Sequence, residues 1–210
     1  MERHGIVQGV CILLALGTLA GCADKDEAWD EAKEAAVRTE VLALATKHNA
    51  ATNWWVKTDL PTDVYTLRLQ EALLTGTKRP VVFIGPVDDI AKNNGDYILY
   101  VGDTDWSNIG WPSIIIRYRL TASEELANRI LTDSRLRTFG GFPHWAVVAV
   151  ISDVKKVSLS ALPQALHSEA ADVCVGSGST IIAEGECIDL LPVPWEFTTN
   201  LLTPEAYGDE

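Results

Sequence analysis

The spacing of apolar residues changes part-way along the chain. Val37, Val41 and Leu44 recur at i, i+4 and i+7, the spacing of one face of a helix. The surrounding residues 23–49 are therefore predicted to form a helix. From Val81 onward apolar and polar residues alternate instead, which is the period of a strand. The pattern predicts an N-terminal helix followed by a mainly β region.

Five strands and one short helix are predicted within the β region. The sequence Asn93-Asn94-Gly95-Asp96 separates the first two strands, because Asn-Gly is typical of a tight hairpin turn. Thr121 and Glu124 have capping-box spacing, which predicts a helix start between the third strand and the fourth. The predicted strands cover residues 81–90, 97–101, 113–120, 145–151 with a continuation through 157, and 180–191.

Residues 64–74 fit two structures. Tyr65, Leu67 and Leu69 alternate with polar residues as in a strand. Leu69 and Leu73 also lie four residues apart, as on one face of a helix. The sequence leaves both structures open for this segment.

Gly85-Pro86 interrupts the first strand of the β region. Proline in a strand indicates an edge or a bulge, and the adjacent glycine indicates a sharp bend. A five-stranded OB barrel requires such a bent first strand, because that strand pairs on both sides, and it places a helix between strands three and four. We therefore expect an α+β chain, mainly β with helices: a five-stranded OB-like β-barrel preceded by an N-terminal helix.

Three segments of the expected barrel carry a family resemblance. They are Val82-Phe83-Ile84-Gly85-Pro86-Val87-Asp88-Asp89-Ile90, Tyr97-Ile98-Leu99-Tyr100 and Ala146-Val147-Val148-Ala149-Val150-Ile151-Ser152-Asp153-Val154-Lys155-Lys156-Val157. These segments resemble the tRNA-anticodon-binding-like OB domains of bacterial uncharacterised proteins and lipoproteins. The resemblance covers residues 79–190 and departs from the family at Ala149, where a second glycine would stand. It implies the fold and not a function, since one fold serves many functions.

The N-terminus contains an uncharged, mainly apolar segment that ends at a cysteine. Residues 6–19 carry no charge and would span about 21 Å as a helix, short of the roughly 30 Å of a bilayer core. They lead into Leu19-Ala20-Gly21-Cys22, which resembles the lipobox of bacterial lipoproteins. That resemblance implies removal of residues 1–21 and attachment of acyl chains, such as palmitate, to Cys22. Two or three chains give a stable membrane anchor.

The lipobox resemblance also implies a location in the bacterial cell envelope. Ala23 follows the acylated cysteine, whereas in enteric-type bacteria an aspartate there retains a lipoprotein in the inner membrane. We therefore expect a lipid-anchored protein on the outer membrane, facing the periplasm, if the host has one.

Four regions follow from these patterns. Residues 1–21 are the signal peptide, and residues 22–78 hold the lipidated cysteine, the acidic helix and a connecting segment. Residues 79–191 form the OB-like barrel, and residues 192–210 form a C-terminal tail.

Cys174 and Cys187 remain after processing, and an oxidising compartment favours a disulfide between them. A regular hairpin centred on Ser177 and Gly178 would instead place Cys174 opposite Ile181 and leave both thiols free. We expect the disulfide, with the hairpin as the alternative.

The charge of the chain argues against nucleic acid as a partner. Lys and Arg number 17 against 29 Asp and Glu, giving a net charge of −12 that repels phosphate backbones. If Arg117, Arg119, Lys155 and Lys156 formed a basic patch on one face, that patch would instead favour binding of nucleic acid.

No catalytic, metal or cofactor motif is complete in the sequence. Asp103-Thr104-Asp105 begins like a calcium loop but has Asn108 in place of the required glycine. The cysteines and histidines lack zinc-ligand spacing. We expect no metal and no cofactor, and we do not expect an enzyme.

Two tryptophans suggest a ligand face. Trp106 and Trp111 lie between strands two and three, near Asp103, Asp105 and Asn108. OB barrels bind ligands on the face of these strands, and indoles beside polar groups suit a glycan or a protein. The alternative is that both rings cap the barrel.

The function expected from the sequence is that of a lipid-anchored envelope binding module without catalysis, contacting an envelope protein or glycan. An envelope enzyme without a recognisable motif and a nucleic-acid-binding OB protein are the alternatives.

Overall fold

The computed structural model describes residues 31–52, 62–74, 79–93, 95–102, 116–133, 143–158, 179–194 and 202 of the 210-residue chain. Within these residues the helices are α1 (Glu31–Lys47), α2 (Thr62–Leu74) and α3 (Glu124–Leu131). The strands are β1 (Val81–Asn93), β2 (Asp96–Gly102), β3 (Ile116–Ala122), β4 (His144–Ser158) and β5 (Ser179–Val193). The predicted order of strands, with a helix between β3 and β4, is confirmed.

The five strands close into a barrel in the spatial order β1-β2-β3-β5-β4. The pairing of β3 with β5 is parallel and the other pairings are antiparallel. Residues 81–86 of β1 pair with β4, and Val87 and residues 89–93 pair with β2, with a register shift at Asp88. This change of partner follows Gly85-Pro86, where the sequence predicts a bend. The chain is therefore an α+β protein built on an OB-like barrel.

Gly85 makes the bend of β1 possible. A Cβ atom at this position would overlap the backbone carbonyl oxygen of Gly102 in β2. At the far end of the same two strands, Asn93 pairs with Asp96 and Gly95 has a φ of 101°, as the predicted hairpin turn requires.

Alternating side chains of the strands fill the barrel interior. Phe83 of β1 stacks on Tyr118 of β3, with ring centroids 3.7 Å apart. Trp145 of β4 is 2% exposed and belongs to this core. Leu126 and Ile130 of α3 join the same core. Burial of each such side chain contributes about 1.5–3 kcal/mol to folding.

The start of α3 differs from the sequence prediction. The N-cap is Ser123, whose Oγ accepts a hydrogen bond from the amide of Leu126 at 3.3 Å. Thr121 still belongs to β3, because its pairing with Ile98 of β2 keeps the backbone extended. Strand pairing therefore moves the helix start beyond the position that the capping-box spacing gives.

The ambiguous segment forms the helix α2. Tyr65, Leu69 and Leu73 lie on one helical face and are buried in the barrel core. Gln70 donates a hydrogen bond to the carbonyl of Val154 at 2.6 Å. Val154 lies in the part of β4 that pairs only with β5, so α2 supplies contacts at a strand side that β1 does not cover.

Helix α1 packs on the outside of the barrel. Val41 and Ala45 are buried against Val82 and Ile84 of β1 and Val148 of β4. This confirms the predicted N-terminal helix over residues 31–47, and residues 23–30 of that prediction lie outside the described part of the chain.

Candidate functional site

A shallow groove lies on the outer face of the barrel, across β2, β3, β5 and β4. Its volume is about 360 Å³. The aliphatic side chains of Ile98 and Val150 and the hydroxyl side chains of Thr121 and Ser152 line it, together with charged residues of β3 and β5. We call this feature the outer groove.

Strand alternation and the parallel pairing of β3 with β5 build the outer groove. Tyr118 and Leu120 point into the core, so Arg119 and Thr121 between and after them point outward. The register then sets Arg119 opposite Glu184 and Thr121 opposite Glu186.

A bulge in β4 adds the remaining side of the groove. The β4–β5 register shifts between Ile151 and Asp153, so Ser152 has no partner residue on β5. Gly185 lies beside this bulge, and a Cβ atom there would overlap the carbonyl oxygen of Val150. A glycine is therefore needed where β5 approaches the bulged strand so closely.

Both groove hydroxyls are held by backbone carbonyls of β5. Thr121 Oγ1 donates to the carbonyl of Gly185 at 3.2 Å. Ser152 Oγ donates to the carbonyl of Glu184 at 3.1 Å. Each hydroxyl uses its one proton in this bond, so each oxygen faces the groove as an acceptor.

The carboxylate of Glu184 is shared by two cations. Arg119 Nη1 lies 3.3 Å from Glu184 Oε1, and Lys155 Nζ lies 2.9 Å from Glu184 Oε2. A hydrogen bond with Tyr100 and the charge of Glu184 raise the pKa of Arg119 above its usual value. The hydrogen bond to Glu184 likewise raises the pKa of Lys155.

Glu186 differs from Glu184 in having no such partner. Its side chain is exposed, and it makes no hydrogen bond or ion pair with any residue that the structure describes. The carboxylate of Glu184 is therefore held in ion pairs, whereas the carboxylate of Glu186 is available to a ligand.

An apolar strip borders these charges on the outer face of the sheet. It consists of Ile98, Tyr100 and Ile182, which are 7–9% exposed and pack with Ala91 and Val157. Apolar and hydrogen-bonding surfaces thus lie side by side, as at protein interfaces and small-ligand sites.

No protein-family model, curated protein or solved structure matches this chain. The groove is therefore interpreted from its own geometry.

The ligand loop predicted from the sequence lies outside the described residues. This applies to Trp106 and Trp111 and to their polar neighbours Asp103, Asp105 and Asn108. The face of β2 and β3 that the prediction placed beside that loop carries one side of the outer groove.

Sequence reasoning missed the contribution of β4 and β5 to the groove. The strand pattern assigns Glu184, Gly185 and Glu186 only to the last strand. The signal available was a glycine between two outward-facing glutamates inside a strand, which indicates a close backbone approach.

The four basic residues that would mark a nucleic-acid surface are each paired with a carboxylate. Arg119 and Lys155 meet Glu184, as described above. Arg117 pairs with Asp88, and both side chains of that pair are buried. Lys156 Nζ lies 2.9 Å from Asp63 on α2. Lys155 Nζ also lies 3.6 Å from Asp153 Oδ2, so these four cations are distributed over four carboxylates.

The disulfide expected between Cys174 and Cys187 is not formed in the structure, where Cys187 is a free thiol. Cys187 points into the barrel core and is 3% exposed. Burial raises the pKa of its thiol to about 12. Cys174 lies outside the described residues, as does Cys22.

A second polar cluster, the Asp189 cluster, joins α1, α3 and β5. Asp189 Oδ2 lies 2.7 Å from Lys47 Nζ and 2.8 Å from His48 Nε2, and Oδ1 lies 3.1 Å from Arg129 Nη1. Burial by itself raises the pKa of Asp189, but these hydrogen bonds outweigh it and hold that pKa well below its usual range. Both carboxylate oxygens are occupied, so the geometry suits attachment of α1 to the barrel.

Among the described residues no group of three His, Cys, Asp or Glu side chains could hold a metal ion. No described helix is both long enough and apolar enough to cross a bilayer.

Proposed function

We propose that this protein is a lipid-anchored binding module of the bacterial cell envelope, without catalysis, and that the outer groove contacts its partner. The observation that supports binding is the groove itself. It combines an aliphatic floor at Ile98 and Val150 with fixed polar groups on β3, β4 and β5.

The anchor in this proposal is Cys22. The sequence Leu19-Ala20-Gly21-Cys22 directly follows an uncharged segment too short to span a bilayer. Acylation of Cys22 would hold the barrel at a membrane surface by way of the acidic segment that follows. The partner would then be an envelope protein or glycan, on the outer membrane facing the periplasm where the host has one.

The ion pairs favour this partner class over nucleic acid. Arg119 and Lys155 form ion pairs with Glu184, and the chain as a whole carries a net charge of −12, which repels phosphate backbones. Phosphate groups would meet Glu186 on the same surface.

The anchor is tested with Cys22→Ala expressed in a bacterial host. Wild-type protein labelled with palmitate should fractionate with membranes, and the variant should lose the label and accumulate as an unprocessed or soluble form. The matched control is Cys11→Ala, which changes a cysteine outside the lipobox. Equal labelling and fractionation of wild type and Cys22→Ala would overturn the anchor.

The groove is tested by site-specific photocrosslinking in the same host. A photoreactive residue at Thr121, exposed in the groove, should crosslink one envelope component. The control position is Glu125, exposed on α3 and outside the groove. Ser152→Arg should abolish the Thr121 crosslink by filling the groove. The same crosslink from Glu125, or its persistence in Ser152→Arg, would overturn the groove as the binding site.

A further inference from the structure

We propose that the outer groove recognises a primary alkylammonium group, the side chain of a lysine on a partner polypeptide. This inference rests on the proposed binding role of the groove and names the chemistry of its ligand.

The polar groups of the groove are arranged as acceptors around an open position. Thr121 and Ser152 donate their hydroxyl protons to the carbonyls of Gly185 and Glu184, which are consecutive residues of β5. Their oxygens can therefore only accept from a ligand. Glu186, the next residue of β5, adds a carboxylate that can also only accept.

The register brings these three acceptors together. Glu186 is opposite Thr121 on β3 and opposite Val150 on β4, two residues before Ser152. An ammonium group carries three donors and no acceptor, which matches a site of three acceptors. A guanidinium is planar and suits a bidentate carboxylate, so a lysine fits this arrangement better than an arginine.

The charges of the groove favour a cation. Arg119, which lines the groove, pairs with Glu184, and Lys155 beside the groove is shared between Glu184 and Asp153. With Glu186 included, these two cations face three carboxylates. Glu186 keeps its charge without an ion pair among the described residues. The net charge of −12 adds a long-range attraction for cationic partners.

The apolar part of the groove fits the stem of a lysine. Ile98 and Val150 present aliphatic surface beside the acceptors. Lysine covers such surface with its methylene chain while its charged end remains with polar groups. A volume of about 360 Å³ lies in the range of sites that hold small ligands.

The test uses the full chain in detergent micelles and Nα-acetyl-lysine N-methylamide as the probe, at low ionic strength. Binding is followed by shifts of backbone amide signals in nuclear magnetic resonance spectra. We expect saturable shifts centred on Thr121, Ser152 and Glu186. The Nε-acetylated probe, which lacks the charge, should bind at least about tenfold more weakly.

Glu186→Gln keeps the shape of the side chain and removes its charge. It should weaken binding of the charged probe by about tenfold. Glu40→Gln makes the same change on the exposed face of α1 and should leave the affinity unchanged. Because both side chains are exposed, both variants are expected to fold, which their unperturbed spectra would establish.

Three results would overturn the inference: no shifts with the charged probe, equal affinity for the acetylated probe, or unchanged affinity in Glu186→Gln. Binding of glucosamine in place of the lysine probe would also overturn it, because the ammonium source would then be a glycan. The proposed function fails separately, through loss of position-specific crosslinking from Thr121, so the two failures are distinguishable.

Discussion

Lys47 at the end of α1 and Asp189 in β5 are 142 residues apart in sequence, yet Lys47 Nζ lies 2.7 Å from Asp189 Oδ2. His48 and Arg129 meet the same carboxylate. One acidic side chain thus connects an outer helix, the helix that joins the core and the last strand of the barrel.

Replacing Asp189 with asparagine should destabilise the protein. The change keeps the side-chain shape but leaves Lys47 and Arg129 without their counter-charge, and it weakens the hydrogen bond with His48. We expect the free energy of unfolding to fall by about 2–3 kcal/mol, measured by denaturant titration. Asp96→Asn, at an exposed position in the hairpin, is the control and should change it by less than about 0.5 kcal/mol. A similar small effect from both variants would contradict the structural role of the cluster.

The stabilisation from Asp189 should also depend on pH. Its pKa is lower in the folded protein than the usual value of about 3.9, so the unfolded chain takes up the proton first as the pH falls. The contribution is therefore complete above about pH 4 and is lost progressively below it. The difference in unfolding free energy between wild type and Asp189→Asn should be larger at neutral pH than in acid. If this difference in unfolding free energy increased on acidification, the pKa of Asp189 would be raised in the folded protein and not lowered.

Cys187 should be unreactive in the folded protein. Its thiol is buried and its pKa is raised to about 12, so little nucleophilic thiolate is present at pH 8. Iodoacetamide should label Cys187 only after denaturation, without added reductant, as mass spectrometry of peptides would show. Recovery of a disulfide-linked peptide joining Cys174 and Cys187 would contradict this and restore the expectation from the sequence.

Gly85→Ala should be more damaging than an alanine at the hairpin glycine. A Cβ at Gly85 would overlap a backbone oxygen of Gly102, which cannot move without opening the β1–β2 pairing. We expect a loss of about 3 kcal/mol. Gly95 has open space around it and only an unfavourable φ, so Gly95→Ala should cost about 1–2 kcal/mol. Unfolding midpoints in denaturant compare the two, and the reverse order would exclude a close approach at the bend.

The buried ion pair of Asp88 and the exposed ion pairs of Glu184 should contribute differently to stability. Asp88 and Arg117 are about 5% exposed, so Asp88→Asn leaves a buried guanidinium without its counter-charge and should cost about 3–5 kcal/mol. The partners of Glu184 are 39% and 44% exposed, and Glu184→Gln should cost only about 0.5–1 kcal/mol. Thermal unfolding at one pH distinguishes the variants. Equal losses of unfolding free energy in the two variants would mean that burial does not determine how much these ion pairs stabilise the protein.

The interior location of Cys187 illustrates what sequence patterns left open. Compartment and cysteine count favoured a disulfide, whereas strand alternation in β5 directs this thiol into the core with Ile181 and Ala183. The secondary structure of residues 64–74 could not be decided from the sequence for a related reason. Helix and strand periods both fit, and packing of Tyr65, Leu69 and Leu73 on the barrel decides for the helix.

Local sequence patterns suffice to predict the N-terminal helix, the order of the strands, the bend at Gly85 and the turn at Gly95. These depend on local periodicity and on backbone conformations that glycine and proline favour or exclude. Which side chains meet depends instead on how the whole barrel folds. Arg119 and Glu184 are 65 residues apart, and they become neighbours because closing the barrel aligns β3 in parallel with β5. Such a register depends on how all five strands close together, which no local pattern specifies.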